Sequence, residues 1–118
     1  MKTVLIVDDS SLMRRIIRHI VIKHGYDVVG EAKNGRLGVE KYKELNPDVV
    51  TMDLVMDEMN GLEALKLIME ENPNANVIMV SSMGQDVVVR DAIVIGAKNF
   101  LLKPFDEQQV VDALKKLG

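Results

Sequence analysis

The feature that most constrains the fold is a fivefold alternation between short apolar runs and longer segments with helical periodicity. The apolar runs are rich in β-branched residues and lack regularly spaced polar positions, which is typical of strands buried on both faces. They cover Thr3–Val7, Val28–Ala32, Val49–Asp53, Val77–Ser81 and Phe100–Lys103. This alternation with short connections predicts parallel strands, right-handed crossovers and helices on both faces of one sheet.

Capping and breaking residues set the predicted helix ends. Ser10 or Ser11 is expected to cap the first helix, which runs to about Lys23. The second and third are predicted over residues 35–45 and 62–71, each followed by an Asn-Pro pair that disfavours further helix. Asp86 is the predicted cap of the fourth helix, which ends near residue 95, and Asp106 begins the last one, which runs to Leu117.

Composition excludes several classes of protein. A chain of 118 residues is the size of one domain, and we expect a single domain over residues 1–118 with no output domain. A net charge of −3 argues against a nucleic-acid binder, whose affinity depends on neutralising phosphates. The chain contains no cysteine, which rules out disulfides and thiol nucleophiles. Its apolar runs are too short for a signal peptide or a membrane span, so we expect a cytoplasmic protein without membrane contact.

Polar side chains gather where the predicted strands end. Asp8 and Asp9 follow the first strand, Asp53 ends the third, Ser81 ends the fourth, and Lys103 ends the fifth. In open parallel sheets, ligands bind beyond the carboxyl ends of the strands. If these strands are neighbours, three carboxylates, a hydroxyl and an ammonium group converge on one edge of the sheet.

Three neighbouring carboxylates raise one another's pKa unless a cation compensates them. Mg²⁺ suits this set best, because it binds one or two carboxylates together with water and phosphate oxygens. A metal and an ammonium group would neutralise a phosphoryl group while a carboxylate attacks in line. The pattern therefore predicts phosphoryl transfer to an aspartate.

Two further groups of charged residues are given no functional role. Glu31, at the end of the second strand, is given no role. The first helix contains four basic residues, Arg14, Arg15, Arg18 and Lys23. Because no aromatic residues lie between them, we interpret them as a face exposed to solvent.

The motifs, in their order and spacing, resemble those of a response-regulator receiver domain, more narrowly of the CheY type found in chemotaxis. The matching segments span essentially the whole chain: 7–10 (VDDS), 52–56 (MDLVM), 60–61 (NG), 80–82 (VSS) and 103–105 (KPF). This resemblance implies a doubly wound (βα)₅ flavodoxin-like fold with a five-stranded parallel sheet in the order 2-1-3-4-5. It also implies a phosphoacceptor switch that catalyses only its own phosphorylation and dephosphorylation.

The resemblance also implies roles for the clustered acidic residues. Asp53 would accept a phosphoryl group from a histidine kinase of the CheA type. Asp9 and Asp53 would bind Mg²⁺ together with the backbone carbonyl of Val55, while Asp8 would act through a metal-bound water. Asp57 stands where the family usually has a proline, which adds a carboxylate beside the expected metal site.

Four further residues carry the switch that the resemblance implies. Lys103 would pair with phosphoryl oxygens, and the peptide bond before Pro104 would be cis. The Ser81 hydroxyl would swing toward the phosphoryl group and leave space behind it. Phe100 would move into that space, and the surface of the fourth and fifth helices would change for a partner.

The implied function is a stand-alone chemotaxis switch that acts as a monomer on a flagellar or archaellar motor protein or an adaptor. A phosphatase is a further partner that the resemblance allows. A second hypothesis is a phosphorelay intermediate that passes its phosphoryl group to a histidine phosphotransfer protein. A third is a phosphate-ester hydrolase, which would need an acid two residues after the nucleophile, where this chain has Val55.

Overall fold

A computed structural model of the chain describes residues 2–56 and 58–117, in which five strands alternate with five helices. The elements are β1 (Thr3–Val7), α1 (Ser11–Lys23), β2 (Asp27–Ala32), α2 (Gly35–Leu45), β3 (Val49–Asp53), α3 (Gly61–Glu71), β4 (Val77–Ser81), α4 (Asp86–Ile95), β5 (Asn99–Leu102) and α5 (Glu107–Lys115). All strand pairs are parallel, and the strand order is β2-β1-β3-β4-β5. The predicted α/β class and flavodoxin-like topology are confirmed.

Successive residues of each central strand face opposite helix layers, which explains why the apolar runs are continuous. In β3, Val50 and Met52 join the cluster formed with α2, α3 and α4, whereas Val49 joins the cluster formed with α1 and α5. In β4, Met79 belongs to the cluster with α2, α3 and α4, and Val80 belongs to the cluster with α1 and α5. Both faces of the sheet are therefore covered, and polar groups concentrate beyond its carboxyl edge.

Side-chain caps begin α1, α2, α3 and α5, which follow this edge. The Ser10 hydroxyl accepts a hydrogen bond from the Met13 amide at 3.1 Å, and Asp106 and Gln109 form a reciprocal capping box. The prediction that Asp86 caps α4 is wrong, because the N-cap is Gln85 and Asp86 is already in the helix. An acidic residue in the first turn is favourable there because of the helix dipole.

Three strand boundaries differ from the predictions by one residue, and one of them is the start of β5, which lies at Asn99 and not at Phe100. β2 begins at Asp27, whose amide extends the ladder by donating to the Lys2 carbonyl at 2.9 Å. β5 ends at Leu102, so Lys103 follows the strand. Among the described residues, no helix is long and apolar enough to cross a bilayer.

One buried hydroxyl group on β3 lacks a partner. Thr51 is 3% exposed, and its Oγ1 has no hydrogen-bond partner within the described part of the chain. Because Thr51→Val removes a desolvated hydroxyl group with little change in volume, we expect it to raise the free energy of unfolding by about 1 kcal/mol. Urea denaturation followed by circular dichroism measures this change.

The reverse substitution on the same strand is the control. Val50→Thr buries a new hydroxyl group and should lower the free energy of unfolding by about 1–2 kcal/mol. A Thr51→Val variant with a lower free energy of unfolding than wild type would contradict the interpretation that this buried hydroxyl group destabilises the fold.

Candidate functional site

The structure brings together the three predicted acidic residues. Asp8 and Asp9 immediately follow β1, Asp53 ends β3, and these two strands are neighbours in the sheet. One carboxylate oxygen from each of the three residues lies within 4.8 Å of the other two. Asp8 is 1% exposed and Asp53 is 5% exposed, whereas Asp9 is open to solvent. The cluster is thus buried on one side and accessible on the other.

Lys103 supplies the positive charge of this site. Its Nζ lies 3.1 Å from Oδ2 of Asp8 and 3.5 Å from Oδ1 of Asp53. The peptide bond between Lys103 and Pro104 is cis. The Lys103 amide still donates to the Ser81 carbonyl at 2.8 Å, which holds the start of this loop against β4. The ammonium group is therefore held between two buried carboxylates.

The environment of Asp53 disfavours its charged form. Burial, followed by the Asp8 carboxylate, raises the pKa of Asp53 to about 6, while Lys103 acts in the opposite direction and Asp9 adds to the increase. A second cation near Asp53 would favour its ionised form, which is the form that can act as a nucleophile.

The donor set fits a hard divalent cation. Two oxygens that ligate one Mg²⁺ at about 2.1 Å lie about 3–4 Å apart, so carboxylates this close need to move little. Asp8 already accepts hydrogen bonds at both oxygens, from the Ser10 amide at 2.9 Å and from Lys103 at 3.1 Å. These bonds suit an indirect role for Asp8 and leave Asp9 and Asp53 as the available carboxylate ligands.

The loop that follows β3 carries the remaining predicted metal ligand, the carbonyl of Val55. The Val55 side chain is 55% exposed. The loop closes where the Gly61 amide donates to the Leu54 carbonyl at 2.7 Å. A Cβ at Gly61 would overlap the Asp53 carbonyl oxygen, so this close approach requires glycine. Asp57, predicted to add a carboxylate here, lies outside the described residues.

The two predicted switch residues lie on the neighbouring strands. Ser81 follows Val80, which is the β4 residue in register with Asp53. Ser81 is 1% exposed, and its Oγ accepts a hydrogen bond from the Met83 amide at 3.1 Å. Phe100 on β5 is half-buried and packs against the cluster under α2, α3 and α4. Their proposed movements stay predictions.

Sequence reasoning missed an ion-pair network that supports the acidic loop. Arg14 donates through Nη1 to the Asp8 carbonyl at 2.7 Å and through Nε to Glu31 at 3.1 Å. Arg18 donates to the other oxygen of Glu31, also at 3.1 Å. The interpretation of Arg14 as part of a solvated face is therefore wrong, and Glu31 orients the arginine that holds the Asp8 backbone. The spacing of Arg14 and Arg18 places them on one face of α1, but it does not identify Glu31 on β2 as their partner.

Comparison with known proteins agrees with this geometry. A family model described as the response regulator receiver domain matches residues 4–115. The chemotaxis protein CheY of Thermotoga maritima is 56% identical over 117 residues, which cover 99% of this chain and 98% of the relative. The chemotaxis protein CheY of Bacillus subtilis is 51% identical over 113 residues, which cover 96% of this chain and 94% of the relative.

Solved structures give the same result. The crystal structure of the CheX–CheY–BeF₃–Mg²⁺ complex from Borrelia burgdorferi contains a similar chain, with a TM-score of 0.96 and 37% identity. The match covers 98% of this chain and 88% of that one. This chain belongs to the response regulator receiver family. Within that family it is of the CheY type, which confirms the resemblance inferred from its motifs. Receiver domains of this type are switch proteins rather than classical enzymes.

Proposed function

We propose that this chain is a chemotaxis response regulator that accepts a phosphoryl group on Asp53 from a histidine kinase of the CheA type. The observation that carries the proposal is the placement of Asp53, a buried carboxylate within 4.8 Å of Asp8 and Asp9 and 3.5 Å from the Lys103 ammonium group. The expectation of one receiver domain over residues 1–118, with no output domain, stays a prediction.

In the proposed transfer, an Asp53 oxygen attacks the phosphorus of a phosphohistidine in line. An oxygen–phosphorus bond forms as the nitrogen–phosphorus bond breaks, and the departing imidazole nitrogen takes a proton from water. Lys103 then pairs with an oxygen of the transferred group, which it can reach because it already lies beside Asp53. Mg²⁺ held by Asp9, Asp53 and the Val55 carbonyl, with Asp8 acting through water, would offset the charge on the transferred oxygens.

The switch is proposed to pass through Ser81 and Phe100. The Ser81 hydroxyl accepts a bond from Met83, so its own O–H can be donated to a phosphoryl oxygen. The phosphoryl group adds charge and strong acceptors to this edge of the sheet, which favours that donation. Phe100 would then pack into the space that Ser81 vacates, and the surface around α4, β5 and α5 would change.

The proposed partner of the phosphorylated form is a motor switch protein or an adaptor in the cytoplasm, bound by a single copy of this chain. The chemotaxis relatives support this choice. The CheX–CheY complex from Borrelia burgdorferi, in which a similar chain is bound to a second protein, supports a further partner, such as a phosphatase. The second candidate is a phosphorelay intermediate. Binding that strengthens on phosphorylation favours the switch, whereas rapid transfer to a histidine phosphotransfer protein favours the relay.

Intact-mass measurement after incubation with acetyl phosphate tests the phosphoacceptor. With Mg²⁺, we expect the chain to gain one phosphoryl group, because acetyl phosphate supplies the group without a kinase. Without Mg²⁺ the gain should fall at least about tenfold, because the added charge is then not offset. The control is Asp53→Ala, which should gain nothing. A folded wild-type chain that gains no group, or a variant that still gains one, would overturn the proposal.

A further inference from the structure

The loop between β3 and α3, described at residues 54–56 and 58–60, is tied to the start of a different helix, α2. Glu58 in this loop accepts two hydrogen bonds through Oε2, from Nδ2 of Asn34 at 3.1 Å and from Nε of Arg36 at 3.2 Å. Asn34 is the N-cap of α2, and Arg36 lies in the first turn of that helix. The function described above gives none of these three residues a role.

The backbone of Glu58 has an uncommon conformation. Glu58 has a φ of +66°, in the left-handed region that residues with a Cβ rarely adopt. Such a conformation persists only where its surroundings determine it. Among the described residues, the side chain of Glu58 forms hydrogen bonds with Asn34 and Arg36.

Asn34 links the two segments through both ends of its amide group. Its Oδ1 accepts from the Leu37 amide at 2.8 Å, which caps α2, and its Nδ2 donates to Glu58. The side chain is 6% exposed, so a lost partner would leave a buried polar group unsatisfied. The next residue, Gly35, brings the two backbones together, because a Cβ there would overlap the Met59 carbonyl oxygen.

The Val55 carbonyl lies between two fixed points of the same loop. On one side, the Leu54 carbonyl accepts from the Gly61 amide at 2.7 Å. On the other side, Glu58 is held by Asn34 and Arg36. Fixing both sides reduces the number of backbone conformations that the intervening carbonyl can sample before it ligates an ion.

We propose that Asn34 and Glu58 are positioning residues for the metal site, because together they hold the Val55 carbonyl where Mg²⁺ binds. This inference rests on the proposed function, since it takes the Val55 carbonyl as a ligand. Neither residue touches the ion; they act through the backbone of the loop. Removal of groups that orient metal ligands typically costs 10–100-fold in metal affinity.

The test is Asn34→Asp, which keeps an oxygen to cap α2 but replaces the donor to Glu58 with a second carboxylate. Aspartate and asparagine are equally good N-caps, so α2 should be retained. The loop is expected to detach, because two carboxylates face each other. A titration of the unphosphorylated chain with Mn²⁺, followed by electron paramagnetic resonance, should give a Kd raised about tenfold. The initial rate of phosphorylation should fall by a similar factor at subsaturating Mg²⁺ and recover at saturating Mg²⁺.

Two further variants isolate the contact. Asn34→Asp combined with Glu58→Gln places an amide donor on the loop side and should return the Mn²⁺ affinity to within about threefold of wild type. Asn60→Asp is the matched control. Like Asn34, Asn60 is the N-cap of a helix that begins with glycine, but its amide group donates to Glu63 and not to Glu58. It adds the same charge, so it should bind Mn²⁺ at least as tightly as wild type. Glu58→Ala, at an exposed position, should weaken binding even if Asn34→Asp fails to fold.

The outcomes separate this inference from the proposed function. An Mn²⁺ affinity within twofold of wild type in Asn34→Asp or in Glu58→Ala, or no recovery in the double variant, would overturn the positioning role. A wild-type chain that binds Mn²⁺ but gains no phosphoryl group would overturn the proposed function alone. A wild-type chain that binds no Mn²⁺ would overturn both.

Discussion

Lys103→Met is expected to lower the free energy of unfolding by about 3 kcal/mol at pH 7.5 without Mg²⁺. The substitution keeps an unbranched side chain of similar length but removes the ammonium group from Asp8 and Asp53, which lie 3.1 Å and 3.5 Å from it. Both carboxylates are buried, and removing one partner of a buried pair costs more than the pair contributes. Urea denaturation with a fitted m-value measures the loss.

The pH dependence of this loss identifies its cause. At pH 5 the loss should be smaller, because the pKa of Asp53 is already raised to about 6 and its carboxyl group is then largely protonated. Lys66→Met, at an exposed position on α3, is the control and should change stability by less than about 0.5 kcal/mol. An equal loss at both pH values would mean that Lys103 stabilises the fold through packing rather than charge.

Asp53→Asn is expected to have the opposite effect and to raise the free energy of unfolding by about 2–3 kcal/mol at pH 7.5 without Mg²⁺. The amide has the shape of the protonated carboxyl group but never ionises. In the folded chain, burial and the Asp8 carboxylate raise the pKa of Asp53 from 3.8 to about 6. Ionisation of Asp53 at pH 7.5 therefore destabilises the folded state, and asparagine avoids that cost.

The sign of the pH dependence follows from the two pKa values. Below about pH 4, Asp53 is protonated in the folded and unfolded chains, so wild type and variant should differ little. Between about pH 4 and 6 the unfolded chain releases its proton first, and the advantage of the variant should grow to its full size. Urea denaturation across this range measures it, and Asp91→Asn at an exposed position is the control. A constant difference down to pH 3.5 would contradict this explanation.

Much of the fold follows from local patterns in the sequence. β1, β3 and β4 have their predicted bounds, because continuous apolar runs between helical segments have few alternative structures. The approach of Asp8, Asp9 and Asp53 follows from topology, since parallel strands place their carboxyl ends at one edge. Errors occur where a neighbouring bond decides the boundary, as at Asp27, whose amide pairs with Lys2.

The supporting contacts could not be predicted in the same way. Arg14 and Glu31 come from different elements, and a pattern within one helix or strand cannot tell a solvated arginine from one that bonds a distant carboxylate. Glu58 and Asn34 are 24 residues apart, and their contact depends on the left-handed backbone at Glu58. Such pairs depend on side-chain placement between elements, which spacing does not encode.

The bond between Lys103 and Asp8 joins residues 95 positions apart in the chain. Asp53 lies about midway between them in the sequence. The charge cluster therefore forms only when β1, β3 and the segment after β5 are all in place. A chain that is still being synthesised, or one in which β5 has detached, retains Asp53 but not its counter-ion. The proposed capacity of Asp53 to accept a phosphoryl group would therefore depend on the completed fold and not on the segment around Asp53 alone.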